Sequence, residues 1–149
     1  MSEQGATPLF LDTGGLYAAF DEDDAEYARA RAVLDGIQAG DLMYRPLYMS
    51  AHALSELVTL VLARSGTTVA ADVLQKVRES PNIIVIHPDA VAFDAACEQF
   101  EHYDDQEISL VDHLTGVLAN ERDIEHVFAF DNDFATLGLT RVPDDTGEA

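Results

Sequence analysis

Five consecutive residues, Asn82-Ile83-Ile84-Val85-Ile86, restrict the fold more than any other stretch of the chain. A β-branched run without polar alternation predicts a parallel strand covered on both faces, and such a strand needs helices above and below it. The flanking sequence supplies them. Leu9-Phe10-Leu11 is a short apolar run ending at Asp12, and His126 to Phe130 is another ending at Asp131. Asp41 to Tyr48 predicts a short strand with Pro46 at its margin, and Arg141 to Pro143 a last edge strand. Between them, Ala25–Gln38 carries Tyr27, Ala30, Leu34 and Ile37 at helical spacing before Gly40. Ser50–Arg64 reads as a long helix ended by Gly66, and Thr67–Glu79 as a further one capped by Thr67 or Thr68. Pro88 opens a helix running to about His102, Asp104 and Asp105 fall in a loop, and Ser109 caps a helix reaching about Arg122. Alternation of this kind predicts an α/β fold: a mostly parallel sheet with helices on both faces. The 149 residues fit a single domain, residues 1–149, with an ordered core of about 8–143 and frayed ends at 1–7 and 144–149.

Charge and composition exclude several classes of function. No apolar run approaches the length of a membrane span, the longest candidate being Leu57–Ala63. The polar start Met1-Ser2-Glu3-Gln4 has no signal-peptide pattern. The single cysteine, Cys97, shares a helical face with Phe93, Ala96 and Phe100, so it reads as core packing. A soluble, cytoplasmic protein without membrane association is the expectation. Acidic residues number 28 against 8 basic ones, a formal net charge of −20, and Lys76 is the one lysine. Such a surface repels nucleic acid at ordinary ionic strength, since binders release counterions through Lys and Arg. At about 1 M salt the screening length falls to roughly 3 Å. The balance resembles that of halophilic proteins, and it reads as adaptation to the solvent rather than to a substrate.

Four carboxylates stand where an open α/β sheet places its ligands, at strand ends or on the helices that follow. Asp12 ends the first strand, and helix capping explains it equally well. Thr13-Gly14-Gly15 follows, and glycines there let a ligand approach the backbone closely. Glu56 is the one charged residue between His52 and Arg64, on a helix apolar on nearly all sides, so it is expected to be buried. A buried carboxylate needs a partner or a metal, and the nearby sequence offers no cation at helical spacing. Asp112 forms a capping-box-like pair with Ser109, with small residues Thr115, Gly116 and Ala119 on its face leaving room for an ion. Asp131 begins Asp131-Asn132-Asp133-Phe134, which is also ordinary turn chemistry, and Asp133 has the weaker claim to a metal. Clustered carboxylates raise one another's pKa unless a hard cation such as Mg²⁺ relieves them. A site of that kind suits metal-assisted phosphoryl displacement.

These residues are also where a family resemblance becomes specific. Leu9-Phe10-Leu11-Asp12-Thr13, Ala53-Leu54-Ser55-Glu56-Leu57-Val58, Ser109-Leu110-Val111-Asp112 and Val127-Phe128-Ala129-Phe130-Asp131-Asn132-Asp133-Phe134 resemble, in order, the four motifs of the PIN domain. The resemblance runs from about Leu9 to Pro143 and is similar in particular to the ribonuclease toxins of type II toxin–antitoxin systems. It implies a three-layer α/β/α sandwich and hydrolysis of RNA with Mg²⁺ or Mn²⁺ held by Asp12, Glu56, Asp112 and Asp131. It further implies a homodimer and a cognate antitoxin. The chain departs from the pattern at Gly14, where a small hydroxyl residue is common. Scarce cations leave RNA binding to Arg45, Arg64 or Arg122. A PIN-like binding module without catalysis is the alternative. A phosphoryl-accepting dehalogenase-type site lacks its second aspartate at Gly14, and a receiver-type site lacks a late lysine. His52, His87, His102, His113 and His126 show no ligand spacing, and no phosphate-binding glycine loop is present.

Overall fold

The structure is a computed structural model that describes residues 5–103 and 107–148. The loop expected at Asp104 and Asp105, and residues 1–4 and 149 of the expected loose ends, lie outside the described residues. Five parallel strands form one sheet: β1 (Thr7–Leu11), β2 (Tyr44–Ser50), β3 (Ile83–Ile86), β4 (His126–Ala129) and β5 (Thr140–Pro143). Their order is β3-β2-β1-β4-β5. The helices are α1 (Thr13–Phe20), α2 (Tyr27–Ala39), α3 (Ala51–Ser65), α4 (Thr67–Glu79), α5 (Ala90–His102), α6 (Leu110–Glu121) and the single turn α7 (Asp133–Thr136).

Period-two alternation in the strands builds two cores. Leu9, Leu11 and Phe128 face one way and pack with α1 to α4, while Phe10, Val127 and Ala129 face the other and pack with α5 to α7. The chain first builds outward from β1 to β2 and β3, then crosses back to add β4 and β5 on β1's other side. Right-handed crossovers running in opposite directions deposit helices on opposite faces, which yields the three layers. The direction reverses between β1 and β4, and a crevice opens there outside the carboxyl ends of those strands.

Several local expectations change. Pro46 lies inside β2, not at its margin. Against β1 the register steps from Thr7↔Tyr44 to Leu9↔Leu47, so β2 carries one extra residue around Pro46. A proline without an N–H is tolerated in an interior strand at such a bulge. The β-branched run forms the edge strand β3, and Ile84 is 46% exposed rather than covered on both faces, because the chain leaves β3 for the far side of β1. Helix α3 is likewise less enclosed than its composition predicts, with Leu60 and Leu62 exposed. Helix α5 seats Ala92 and Ala96 against the core, which leaves Cys97 half-buried and Phe100 exposed. Helix α1 begins immediately after Asp12, and α7 was not legible from its four residues. Helix α4 is preceded by Gly66, with neither Thr67 nor Thr68 capping it. Beyond Pro143, where a loose end was expected, Asp144 and Asp145 pair with Arg29 and Arg141, and Tyr44 donates to Glu148. Among the described residues no helix is long and apolar enough to cross a membrane.

Candidate metal centre

Asp12, Glu56, Asp112 and Asp131 all line one cleft of about 390 Å³ at the carboxyl end of the sheet, together with Asp133. Their elements explain the convergence. Asp12 and Asp131 follow the adjacent strands β1 and β4 at the point where strand order reverses. Glu56 reaches the cleft from the second turn of α3, which leaves the end of β2, and Asp112 from the first turn of α6.

Each bland local explanation holds alongside the site. Asp12 is 5% exposed, and its Oδ2 accepts the Gly14 N–H at 2.9 Å, so it caps α1 and faces the cleft at once. Thr13 Oγ1 donates to the Ala53 carbonyl at 2.9 Å, tying the start of α1 to the helix that carries Glu56. Ser109 Oγ accepts the Asp112 N–H at 3.1 Å, which satisfies the helix end while the Asp112 carboxylate joins the acidic group. Asp131 Oδ1 accepts the Asp133 N–H at 2.9 Å, and this turn places both side chains on the same side. Ser109→Ala is expected to remove the α6 cap at a cost of about 1 kcal/mol. That corresponds to a fall in Tm of about 3 °C, readable by thermal unfolding, and an unchanged Tm would show that the cap contributes nothing.

The tightest grouping differs from the one the motifs suggest. Carboxylate oxygens of Asp112, Asp131 and Asp133 lie within 4.8 Å of one another, the one such cluster among the described residues. Asp133 therefore stands inside the site, and its signal was its place two residues after a strand-end aspartate, where a turn points both acids the same way. Glu56 is half-buried, not enclosed, since α3 turns Leu60 and Leu62 outward. Thr115 and Ala119 are buried in packing, and Gly116 faces Leu137, so the small residues of α6 leave no space for an ion. Of the glycines after Asp12, Gly15 serves packing: a Cβ there would stand 2.5 Å from the Phe128 carbonyl oxygen.

Electrostatics make this a strained set of charges. Burial, with Glu56 and Asp131 adding repulsion, raises Asp12 to about 7 against the hydrogen bonds from Gly14 and Gly15. Burial also raises Asp112 to about 8, with Asp12, Asp131, Glu56 and Asp133 adding to it. Asp133 is raised by burial and then by Asp131. Hard oxygen donors at this spacing, with no cation among the described residues that line the cleft, fit a divalent metal ion. None of the nominated arginines fills that role. Arg64 is paired with Asp21 and Asp23, and Arg122 with Glu121, about 15 Å along α6 from Asp112. Arg45 is the second residue of β2, at the opposite end of the parallel sheet from the cleft. A larger hollow of about 580 Å³ lies at that end, but among the described residues Arg45 is its one charged lining residue. His113 is fully buried between Phe100 and Tyr103, and burial lowers its pKa against the opposing charge of Asp133.

A family model described as the PIN domain matches residues 9–138. The 23S rRNA-specific endonuclease VapC20 of Mycobacterium tuberculosis is 28% identical over 135 residues, covering 90% of this chain and 97% of that protein. The crystal structure of VapC20, described as a sarcin–ricin-loop-cleaving toxin, superimposes with a TM-score of 0.76 over 88% of this chain and 95% of that one. FitAcB from Neisseria gonorrhoeae superimposes with a TM-score of 0.60 at 18% identity, over 89% and 95% of the two chains, a likeness of fold alone.

Proposed function

The chain belongs to the PIN-domain family, and from that premise we propose that it is a metal-dependent endoribonuclease, the toxin of a toxin–antitoxin pair. The observation that carries this reading is the meeting of Asp12, Glu56, Asp112, Asp131 and Asp133 in one cleft at the sheet's switch point. Asp112, Asp131 and Asp133 would hold Mg²⁺ or Mn²⁺, with Asp12 and Glu56 completing the acidic wall. When bound, the ion supplies an activated water and charge stabilisation for phosphodiester hydrolysis. The protein's own part is to fix the carboxylates on rigid strand and helix ends. Asp12 is held by its bond to Gly14, α1 is tied to α3 through Thr13, and the Asp131 turn orients Asp133. VapC20 is named for 23S rRNA and described as cleaving the sarcin–ricin loop, which makes that loop the first substrate to test. The exposed Leu60 beside the cleft suits a protein partner such as an antitoxin, and a homodimer belongs to the same reading. The net charge of −20 calls for assays in molar KCl, as expected of a salt-adapted, cytoplasmic protein.

The test is hydrolysis of a labelled sarcin–ricin-loop RNA with Mg²⁺ or Mn²⁺, abolished by chelator. Glu56→Gln keeps the side-chain volume and removes the charge, so cleavage is expected to fall on the order of a hundredfold. Calorimetric metal binding weakens with it, while the circular dichroism spectrum stays unchanged. Cleavage within a few fold of wild type would take Glu56 out of the site. Metal binding without cleavage of this or any single-stranded RNA would replace the enzyme with a PIN-like binding module.

A further inference from the structure

A cation that the motifs did not nominate stands beside two residues that line the cleft. Arg29, on α2, reaches Glu26 Oε1 at 3.0 Å and Asp144 Oδ1 at 2.5 Å, and its guanidinium carbon lies 5.5 Å from the centroid of the Phe130 ring. Glu26 and Phe130 both line the acidic cleft. Asp144 follows β5, whose last residue pairs with Ala129, so the tail leaves the sheet at the same end as Asp131. The second oxygen of Asp144 faces Arg141 at 3.4 Å, and Arg141 also donates to the Phe130 carbonyl at 3.2 Å and holds Asp145 at 3.0 Å. One carboxylate thus bridges two guanidinium groups beside the cleft, each oxygen serving one of them. The two non-bridging oxygens of a phosphodiester make the same pair of contacts. The arginines are unequal: the Arg141 side chain is 14% exposed and braces the strand end, whereas Arg29 is 40% exposed and accessible.

We propose that Arg29 is a phosphate-binding residue of the substrate cleft and that Asp144 occupies it as a phosphate mimic, which bound RNA displaces. This rests on RNA as the substrate. It explains how so acidic a protein engages a polyanion, through one cation kept neutralised until the strand arrives. It also gives the tail a role that a simple staple lacks, because a staple only adds stability.

Anisotropy of a labelled single-stranded oligoribonucleotide, with Mg²⁺ in the full chain carrying Asp112→Asn to disable cleavage, separates the two. Arg29→Gln is expected to raise Kd about tenfold, with Arg29→Lys in between, since a lysine keeps the charge and loses the fork. Asp144→Asn is expected to lower Kd several-fold and to steepen the dependence of log Kd on log[KCl] by about 0.7, one further phosphate contact on a single strand. Combined with Arg29→Gln, Asp144→Asn loses its effect. Asp41→Asn, the same charge change on the loop before β2 at the far end of the sheet, gives a smaller shift. Thermal unfolding of each variant confirms that the fold is kept. Unchanged or weaker binding by Asp144→Asn, an undiminished effect without Arg29, or an equal effect from Asp41→Asn overturns the proposal. If that happens while the parent chain still cleaves RNA, the nuclease reading stands and the subsite alone falls. A parent chain that neither binds nor cleaves RNA removes both.

Discussion

Asp112→Asn is expected to abolish RNA cleavage, by about 10²-fold or more, and at the same time to make the metal-free protein more stable at pH 8. The second effect follows from burial and from the four acids around Asp112, which raise its pKa from 3.8 to about 8 in the folded chain. A carboxyl group with a raised folded pKa contributes stability below its unfolded pKa, and that contribution is lost as pH rises toward the folded value. Between about pH 4 and 8 the native site therefore grows steadily less favourable. Asparagine carries no charge and lacks that slope. Each tenfold change in proton affinity corresponds to about 1.4 kcal/mol, but the cleft is open to solvent, so a gain of about 1–2 kcal/mol at pH 8 is expected. In chelator that is a Tm higher by about 3–6 °C, shrinking toward pH 5. Saturating Mg²⁺ or Mn²⁺ reverses the order, because the ion stabilises the wild-type fold by mass action. Thermal scans at the two pH values, with and without metal, test it. A variant no more stable than wild type at pH 8 in chelator, or one that still cleaves, contradicts this account of the site.

Gly15→Ala is expected to cost stability where most Gly→Ala changes in helices add it. Alanine favours a helix by about 1 kcal/mol over glycine. At position 15, however, its Cβ would lie 2.5 Å from the Phe128 carbonyl oxygen and 3.1 Å from the same residue's Cδ2. Both belong to β4 in the middle of the sheet, so α1 must move away from it. Overpacking of this kind costs about 1–3 kcal/mol, occasionally more, and a net loss of about 1–2 kcal/mol remains once the helix preference is subtracted. Displacing α1 pulls on Asp12, which caps that helix through the Gly14 N–H and is held to β4 by its own N–H on the same Phe128 carbonyl at 3.2 Å. Cleavage should fall together with the urea midpoint. Gly14→Ala is the control for stability alone: its Cβ would meet Asp12 Oδ2 at 3.0 Å and nothing in the sheet. A Gly15→Ala chain as stable as wild type would mean that α1 is free to shift.

Much of this was legible because it depends on local chemistry. Apolar runs ending in aspartate, at Leu11-Asp12 and Phe130-Asp131, and the Ser109 cap before Asp112 announce strand ends and a helix start from a few consecutive residues. The four-acid pattern could be read for the same reason, and the structure brings all four to one cleft. Asp133 ranks below the four motif acids on sequence alone, because its place beside Asp112 depends on a turn bringing α7 against α6. Ile84 could not be known as exposed, since the same β-branched run serves an edge or a centre. The burial of Glu56 was overread because a helix's composition does not say which of its faces the sheet covers.

Sequence alone determined the alternation of strands and helices, the parallel sheet it demands and the identities of the acids, all of which follow from neighbours along the chain. Tertiary structure decided the strand order β3-β2-β1-β4-β5, and with it which strand ends adjoin. It also decided which cations stand near the cleft. Arg29 lies 115 residues from Asp144, and nothing in either segment names the other. Such pairings are set by the direction in which crossovers travel over the sheet, a property of the whole fold that no local window of sequence carries.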